Sequence, residues 1–257
     1  MKVFKFGGAS VKSAEGVRNL KYIVEDQIEG GLFVIISAMG KTTNALENVL
    51  ELFMKGESTA ALAAFAEIEQ YHNTIISDLF EGKPVPATIT RLYNECRTIL
   101  SSSKPIAEDY EKWYDAIVSY GELISTTIIS EYLNASGVRN HWVDMRKCFI
   151  TDARFKYANV DIESSTVLLS KEIAESKEQL FIGQGFIGAT IGGQTTTLGR
   201  EGSDYSAAVT ASILDAESVT IWKDVVGILN ADPKIFPETE YIPEMTYLDA
   251  IELAYSG

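Results

Sequence analysis

The sequence predicts an α/β fold in which a mainly parallel sheet carries helices on both faces. Short apolar runs of strand length, such as "LFVIISA", alternate along the chain with segments whose apolar residues recur at helical spacing. Glycine-rich or polar loops separate these segments, and the strand–loop–helix unit repeats. Ligands bind beyond the carboxyl ends of the strands in such sheets, so we expect functional residues in the loops that follow strands.

Two strand–loop–helix units are predicted at the start of the chain. The stretch "KVFKF" alternates polar and apolar residues and predicts a strand, after which Gly7 and Gly8 turn the chain into a helix from Ser13 to Ile28. The apolar run "LFVIISA" predicts a second, buried strand. The helix expected after it is marked by an apolar stripe of Leu46, Val49, Leu50 and Phe53.

The middle of the chain is predicted to be a helical insertion. From about residue 55 to residue 120 only helical patterns occur, with interruptions at "GKP" and near Pro105. Alternation then resumes with a helix ending at Gly137, the strand "HWVDM", the helix "STVLLSKEIAES" and the strand "QLFIGQGFIGA". The stretch "TIGGQTTTLGREGSD" predicts a loop or short ribbon that leads into a helix capped by Ser203, and "SVTIW" predicts the last strand.

Composition and charge exclude several classes of function. With 257 residues, 46% hydrophobic and 23% charged residues and 6 prolines, the chain is expected to be a soluble globular protein with one large domain. A net charge of −14 disfavours binding to nucleic acid or to an anionic membrane. The N-terminus lacks the apolar segment of a signal peptide, so we expect a cytoplasmic protein whose partners are small molecules.

The cysteines and histidines are predicted to be structural. Cys96, Cys148, His72 and His141 lie far apart in sequence and match neither a disulfide framework nor a metal-ligand motif. No nucleophile–base pair is recognisable, which argues against covalent hydrolase or zinc chemistry. Phosphoryl transfer fits better, because it depends on positioning and cations more than on a protein nucleophile.

The segment "VIISAMGKTTN" contains the end of a P-loop motif at Gly40 and Lys41. A P-loop needs a glycine five residues before Gly40 so that backbone N–H groups can wrap the phosphates, and Ile35 occupies that position. A P-loop ATPase is therefore not predicted, and another role must explain this loop.

Three loops together suggest an anion site. Lys5 ends a strand beside two glycines that let the backbone approach a phosphate, and Ser10 offers a hydroxyl. Ser203 opens a helix whose N-terminus favours an anion, with Arg200 just before it. The alternatives are an exposed strand lysine and a surface ion pair between Arg200 and Asp204.

Other charged residues have simple structural explanations as well. Glu122 near the start of a helix is explained by the helix dipole. Asp224, and the turn from Asp232 to Lys234, are explained by ordinary turn chemistry.

Taken in order, the motifs "KFGGAS", "SAMGKTTN", "GEL", "GFIG", "TTTLGREGSD" and "IWKDVVGILNADP" resemble the catalytic domain of aspartate kinases, in the amino-acid kinase superfamily. The resemblance covers nearly the whole chain. It implies a three-layer α/β/α sandwich, and transfer of the ATP γ-phosphoryl group to the side-chain carboxylate of L-aspartate. The product would be 4-phospho-L-aspartate, in the first step of lysine, threonine and methionine biosynthesis. ATP with Mg²⁺ held mainly by its phosphates, and a homo-oligomeric full-length protein, are implied too.

The resemblance also assigns roles to individual residues. Lys5 would stabilise the transferring phosphoryl group, and Asp204 would organise the charged groups around the reaction centre. Glu122 would receive the substrate ammonium and Arg200 its α-carboxylate. Further substrate contacts are implied for Thr43, Phe186 and Ser203, and ATP contacts for Lys5, Gly7, Gly8, Ser37, Lys223, Asp224, Leu229 and Lys234. The segment from Ser37 to Asn44 would therefore be a substrate and phosphate loop, in which Thr43 rather than Lys41 contacts the substrate.

Several positions depart from the pattern of the family. Ala9 replaces a usual threonine, Glu201 a frequent glycine and Lys223 a common threonine, while Leu229 and Lys234 stand where a tyrosine and an arginine often contact nucleotide. The chain ends at "ELAYSG", inside a motif after which regulatory domains usually follow, so we expect a catalytic fragment that lacks them. Two alternatives stay open: a related kinase acting on glutamate or an acylated amino acid, and a sensor of amino acid or nucleotide without turnover.

Overall fold

The computed structural model describes residues 1–102, 105–223, 225 and 227–256. The chain divides into two compact units, Met1–Trp222 and Lys223–Gly257. The strands are β1 (Lys2–Phe6), β2 (Leu32–Ile36), β3 (His141–Val143), β4 (Ile150–Thr151), β5 (Leu180–Gln184), β6 (Ile187–Thr190), β7 (Thr195–Thr197) and β8 (Ser218–Trp222). The helices are α1 (Ala14–Glu25), α2 (Thr42–Met54), α3 (Ser58–Leu79), α4 (Ala87–Ser102), α5 (Tyr110–Val118), α6 (Tyr120–Ala135), α7 (Met145–Cys148), α8 (Ile162–Glu175), α9 (Gly202–Ile213) and α10 (Tyr247–Ser256).

The central sheet has five strands in the order β3-β5-β2-β1-β8, and all of its neighbours pair in parallel. This confirms the predicted mainly parallel sheet. Its register aligns Phe6 with Ile36 and with Trp222, and Ile36 with Gln184. The loops that follow these strands consequently leave the sheet at one edge.

Helices cover both faces of this sheet. Successive strand residues point to opposite sides, and the apolar residues on each side pack against helices. Phe4, Val34 and Ile182 pack into one apolar core with residues of α1 to α6. Val3, Ile35 and Phe181 pack into a second core with residues of α7, α8 and α9. The three-layer α/β/α sandwich is therefore confirmed.

The described regular structure between about 55 and 120 is helical, comprising α3, α4, α5 and a short 3-10 helix at Ala107–Asp109, with a non-helical connection at 80–86. The apolar stripe predicted for α2 is buried, which confirms that helix. The predicted helix from Ser13 ends at Glu25 rather than at Ile28, and the Ser13 side chain caps its start by accepting the Gly16 N–H at 3.2 Å.

Three further predictions about where elements begin or end were wrong. The strand "HWVDM" ends at Val143, because the Asp144 carboxylate accepts the Arg146 N–H at 3.2 Å and starts α7. The stretch "QLFIGQGFIGA" forms two strands in different sheets, since the chain turns at Phe186, whose φ is +70°. Ser203 is not the cap of α9, because that helix starts at Gly202 after Glu201, which is left-handed at φ +56°.

A smaller sheet extends the first unit. It has the order β4-β6-β7, with β6 and β7 antiparallel. The glycine- and threonine-rich stretch was predicted to be a loop or a short ribbon, and it forms the ribbon.

The second unit contains α10 and an isolated bridge between Leu229 and Tyr241. Within it the Asp232 carboxylate accepts the Lys234 N–H at 2.9 Å, which is the turn chemistry considered for that site. Over the described residues, no helix is both long and apolar enough to cross a membrane.

Candidate active site

A cavity of about 400 Å³ lies in the first unit, by the loops that follow β1, β2 and β5. It is lined by eight of the residues to which the sequence analysis assigned a role: Lys5, Ser37, Thr43, Glu122, Phe186, Arg200, Ser203 and Asp204. Its remaining lining residues are Tyr114, Lys156, Tyr157, Gly199, Glu201 and Gly202. The topology thus brings together side chains that are up to 199 positions apart, as for Lys5 and Asp204.

An ion pair between Lys5 and Asp204 forms one part of the wall. Lys5 points to the same side of β1 as Val3, the side covered by α9, and its Nζ lies 2.6 Å from Asp204 Oδ1. The two side chains are 9% and 28% exposed, so the pair is largely shielded from water yet open to the cavity. The interpretation of Lys5 as an exposed strand lysine is therefore wrong.

Glu122 supplies a buried carboxyl in the first turn of α6. Its Oε1 accepts the Ala38 N–H at 3.1 Å, whereas its buried Oε2 has no hydrogen-bond partner among the described residues. Burial raises the pKa of Glu122 to about 8, against a smaller opposing effect of the Ala38 N–H. An unpaired oxygen of this kind is a site for a cation or a hydrogen-bond donor.

Arg200 stands in a tight loop before α9. Gly199 and Glu201 on either side of it are left-handed, at φ +77° and +56°. Arg200 is exposed and forms no ion pair with any described residue, while Asp204 pairs with Lys5. The surface pair between Arg200 and Asp204 is therefore not formed.

Close backbone packing fixes the start of α9 against the loop after β5. A Cβ on Gly185 would lie 2.5 Å from Ser203 Oγ and 2.9 Å from Ser203 Cα, so this position has no room for a side chain. The Phe186 N–H donates to Ser206 Oγ at 2.9 Å. Phe186 and Ser203 are consequently held next to each other at the cavity.

The loop after β2 is held by the loop after β1. The Gly40 N–H donates to the Gly8 carbonyl at 2.9 Å, and a Cβ on Gly8 would lie 2.5 Å from the Ala38 carbonyl oxygen. Ser37 and Thr43 line the cavity, whereas Lys41 lies against a separate cavity between α2 and α3. The preference for Thr43 over Lys41 agrees with this geometry.

Some predicted residues are not brought to this cavity. Gly7 and Gly8 do not line it, although the Cβ position of Gly7 is 3.7 Å from Lys5 Nζ. The Ser10 hydroxyl lies 3.5 Å from the Trp222 carbonyl oxygen. Lys223, Leu229 and Lys234 belong to the second unit, and Asp224 lies outside the described residues.

Sequence reasoning missed Tyr114, Lys156 and Tyr157. Tyr114 lies on α5, where a helical pattern gives no sign of a nearby sheet edge, and its hydroxyl donates to Glu47 at 2.9 Å. Lys156 and Tyr157 lie in the polar loop after β4, and that position after a strand was the available signal.

Cys96, Cys148, His72 and His141 do not line this cavity. Burial lowers the pKa of His72 to about 4, so it is neutral, and its Nδ1 lies 2.8 Å from the Ile68 carbonyl. His141 Nε2 lies 2.8 Å from Glu172, and Cys96 and Cys148 are free and buried. Within the described part of the chain, no three His, Cys, Asp or Glu side chains cluster as metal ligands.

Comparison with known proteins finds relatives along the whole chain. Lysine-sensitive aspartokinase 3 of Escherichia coli (strain K12) is 36% identical over 99% of this chain and 56% of its own length. The aspartokinase of Chlamydia trachomatis is 32% identical, with the same coverage. The bifunctional aspartokinase/homoserine dehydrogenase 2 of Zea mays is 29% identical, and this chain covers 28% of it. The chain spans about half or less of the curated relatives it matches.

Among solved structures, E. coli aspartokinase III in complex with aspartate and ADP superposes with a TM-score of 0.85 at 33% identity, over 99% of this chain and 56% of that one. An isopentenyl phosphate kinase of T. acidophilum, at 14% identity and a TM-score of 0.52, shares the fold alone. The sequence profile of the Amino acid kinase family matches residues 1–257. A parallel sheet with a charged cavity at its carboxyl edge, and a profile match over the entire chain, lead to one conclusion: this protein belongs to the amino acid kinase family.

Proposed function

We propose that this protein transfers the γ-phosphoryl group of ATP to the side-chain carboxylate of L-aspartate. The observation that carries the proposal is the meeting of three features in one cavity: the Lys5–Asp204 ion pair, a Glu122 oxygen and the Arg200 guanidinium, the last two without a partner in the described part of the chain. The aspartokinases to which the chain is similar support the choice of substrate, as does the E. coli structure that holds aspartate and ADP.

A dicarboxylic amino acid fits this set of charges. Its ammonium group would bind Glu122, and its α-carboxylate would bind Arg200, which can donate two parallel hydrogen bonds. Thr43, Phe186 and Ser203 would complete the pocket. The ammonium charge of the substrate favours the ionised form of Glu122. This carboxylate and Arg200 would then bind the two charged groups of the amino-acid end and fix the direction of the side-chain carboxylate that attacks the phosphorus atom.

Lys5 would act on the phosphoryl group itself. Charge on the equatorial oxygens of the transferring group is stabilised by a fixed cation, and the contact to Asp204 holds the Lys5 ammonium in place. The attacking carboxylate is ionised at neutral pH, so no general base is needed. The roles of Lys5 and Asp204 are thus positioning and electrostatic stabilisation.

For the nucleotide, we propose that Gly7, Gly8 and Ser37 line the ATP phosphates. Nucleotide contacts of Lys223, Asp224, Leu229 and Lys234 rest on the resemblance of the sequence to aspartate kinases. Mg²⁺, carried mainly by the ATP phosphates, would neutralise part of their charge. We also infer a homo-oligomeric full-length protein, a cytoplasmic location, and a single catalytic domain with an insertion at about 55–120.

The test is ADP formation with ATP and a panel of amino acids. We expect ADP release to depend on L-aspartate, with formation of an acyl phosphate that hydroxylamine traps. Activity with L-glutamate or an acylated amino acid, and none with L-aspartate, would identify a related kinase instead. Binding of an amino acid without ADP release in the presence of ATP and Mg²⁺ would identify a sensor.

A further inference from the structure

Lys156 places another cation in the wall of the cavity. Its Nζ lies 4.6 Å from the ring centre of Tyr114 and 5.6 Å from that of Tyr110. It has no carboxylate within 4.0 Å among the residues for which contacts are described. A ring face attracts the ammonium charge but accepts few of its three N–H groups, so donors stay available for a ligand.

A buried carboxylate fixes the backbone that carries this side chain. Lys156 is left-handed at φ +69°, a conformation that a residue other than glycine adopts at a cost. Its N–H lies 3.0 and 2.9 Å from the two oxygens of Asp115, which is fully buried and also accepts the Thr197 hydroxyl at 2.5 Å. The surrounding contacts therefore impose the backbone conformation of Lys156, since a lysine does not by itself favour a left-handed backbone.

The Lys156 loop adjoins the loop that carries Arg200. A Cβ on Gly199 would lie 2.9 Å from Tyr157 Cδ1 and 3.4 Å from the Lys156 carbonyl oxygen, so the two loops pack at close range. Arg200 follows Gly199 directly. Glu201, which also lines the cavity, is exposed and forms no ion pair with a described residue. Lys156 and Arg200, neither of which has a carboxylate partner among the described residues, thus stand in neighbouring loops.

We propose that the Lys156 ammonium binds the α-carboxylate of the amino-acid substrate together with Arg200. This inference rests on the proposed function and deepens it. Arg200 is exposed, so water screens part of its attraction for a bound carboxylate. Lys156 is half-buried against aromatic rings, where a charge–charge contact is screened less. Asp115 and Tyr114 act as positioning residues for Lys156.

The experiment measures ligand binding by calorimetry for the wild type, Lys156→Met, Lys156→Gly and Lys156→Arg. Methionine keeps the length of the side chain without its charge, and glycine removes the charge but suits the left-handed backbone. The ligands are L-aspartate, the α-amide of L-aspartate and L-glutamate. Lys147→Met, an exposed lysine that does not line the cavity, is the control.

We expect both neutral variants to bind L-aspartate roughly tenfold more weakly, in the range of one charged hydrogen bond, and Lys156→Arg to retain most of the affinity. Binding of the α-amide, which lacks the α-carboxylate charge, should be the same in all variants. Unchanged L-aspartate affinity, or an equal loss for both ligands, would overturn the inference in favour of a packing role.

The same data separate this inference from the proposed function. If the wild type binds L-glutamate and not L-aspartate, the proposed substrate is wrong, and the comparison is made with L-glutamate and its α-amide. If the wild type binds neither amino acid, both proposals fail.

Discussion

Glu122 shows how burial sets the chemistry of a single residue in this cavity. Its pKa is raised from an ordinary 4.5 to about 8, mainly because burial disfavours the charged form. Between these two values the unfolded chain loses the proton while the folded chain keeps it. This carboxyl therefore lowers the stability of the fold progressively as pH rises from about 4.5 to 8.

Glu122→Gln removes this dependence, since an amide does not titrate but can still accept the Ala38 N–H. We expect the stability of the variant relative to wild type to increase by about 2–4 kcal/mol from pH 5 to pH 8, without substrate. Urea unfolding at both pH values measures this. A stability difference that stays constant with pH would contradict the raised pKa.

Lys5 is expected to act mainly in the transition state. Lys5→Met should lower kcat roughly 100-fold or more with little change in the KM for L-aspartate, because its charge acts on the phosphoryl group and not on the amino acid. Steady-state kinetics of both proteins measure this, with circular dichroism to confirm that the variant is folded. A kcat equal to that of an active wild type would rule out the assigned role.

Arg200 is expected to bind substrate through the geometry of its guanidinium. Arg200→Lys keeps the charge but loses the two parallel hydrogen bonds, so L-aspartate binding should weaken by about 1–3 kcal/mol. Calorimetry with L-aspartate and with ATP separates the two substrates. If affinity for ATP falls and that for L-aspartate does not, Arg200 contacts phosphate instead.

At the level of elements, the packing of the loop after β1 against the loop after β2 depends more on Gly8 than on Gly7. A Cβ on Gly8 would meet the Ala38 and Gly40 carbonyl oxygens at 2.5 and 3.0 Å, whereas a Cβ on Gly7 would meet only the end of the Lys5 side chain at 3.7 Å. Gly8→Ala should therefore destabilise the protein by about 1–3 kcal/mol, and Gly7→Ala by much less. Thermal unfolding of both variants checks this, and equal shifts in Tm would show that the two loops can separate without cost.

Strained backbone is concentrated in the loops of the cavity. Of the described residues other than glycine with positive φ, Lys156, Phe186 and Glu201 line the cavity, while Glu81 and Asp215 do not. Such conformations persist only where the surroundings impose them. A glycine at position 201 would adopt the observed φ of +56° without this cost.

At the scale of the whole molecule, basic residues are few but several of them meet at the cavity. The chain carries a net charge of −14, and the cavity is lined by Lys5, Lys156 and Arg200 beside the carboxyl groups of Glu122, Glu201 and Asp204. An acidic surface repels other polyanions, while a local group of cations can still bind a small anionic substrate. Removal of a lysine that lies near bound phosphate should consequently lower the affinity for ATP measurably.

Lys223, the first residue of the second unit, is a candidate for such an effect. If it contacts an ATP phosphate, Lys223→Thr should bind ATP roughly three- to tenfold more weakly, and its binding should depend less on salt. Calorimetry from low to physiological ionic strength, with Lys147→Thr as the control, measures both quantities. Identical isotherms for Lys223→Thr and wild type would show that Lys223 does not contact ATP.

The sequence by itself determined the class of fold and most of the cavity. Strand and helix patterns are local, so β1, β2, α1 and α2 could be predicted from hydrophobic periodicity. The positions of Lys5 at the end of a strand and of Thr43 shortly after a strand could be predicted too, because ligand sites follow strands in a parallel sheet. The order of the motifs then indicated a role for each loop, through the resemblance to aspartate kinases.

Only the tertiary structure decided which distant residues meet and in what state of charge. The pairing of Lys5 with Asp204 depends on α9 covering one face of β1, and the raised pKa of Glu122 depends on its burial beside Ala38. The fixed position of Lys156 depends on Asp115, which belongs to the helical stretch where periodicity gave no sign of a site. These contacts are long-range, and desolvation and backbone strain arise from packing, so no local pattern in the sequence encodes them.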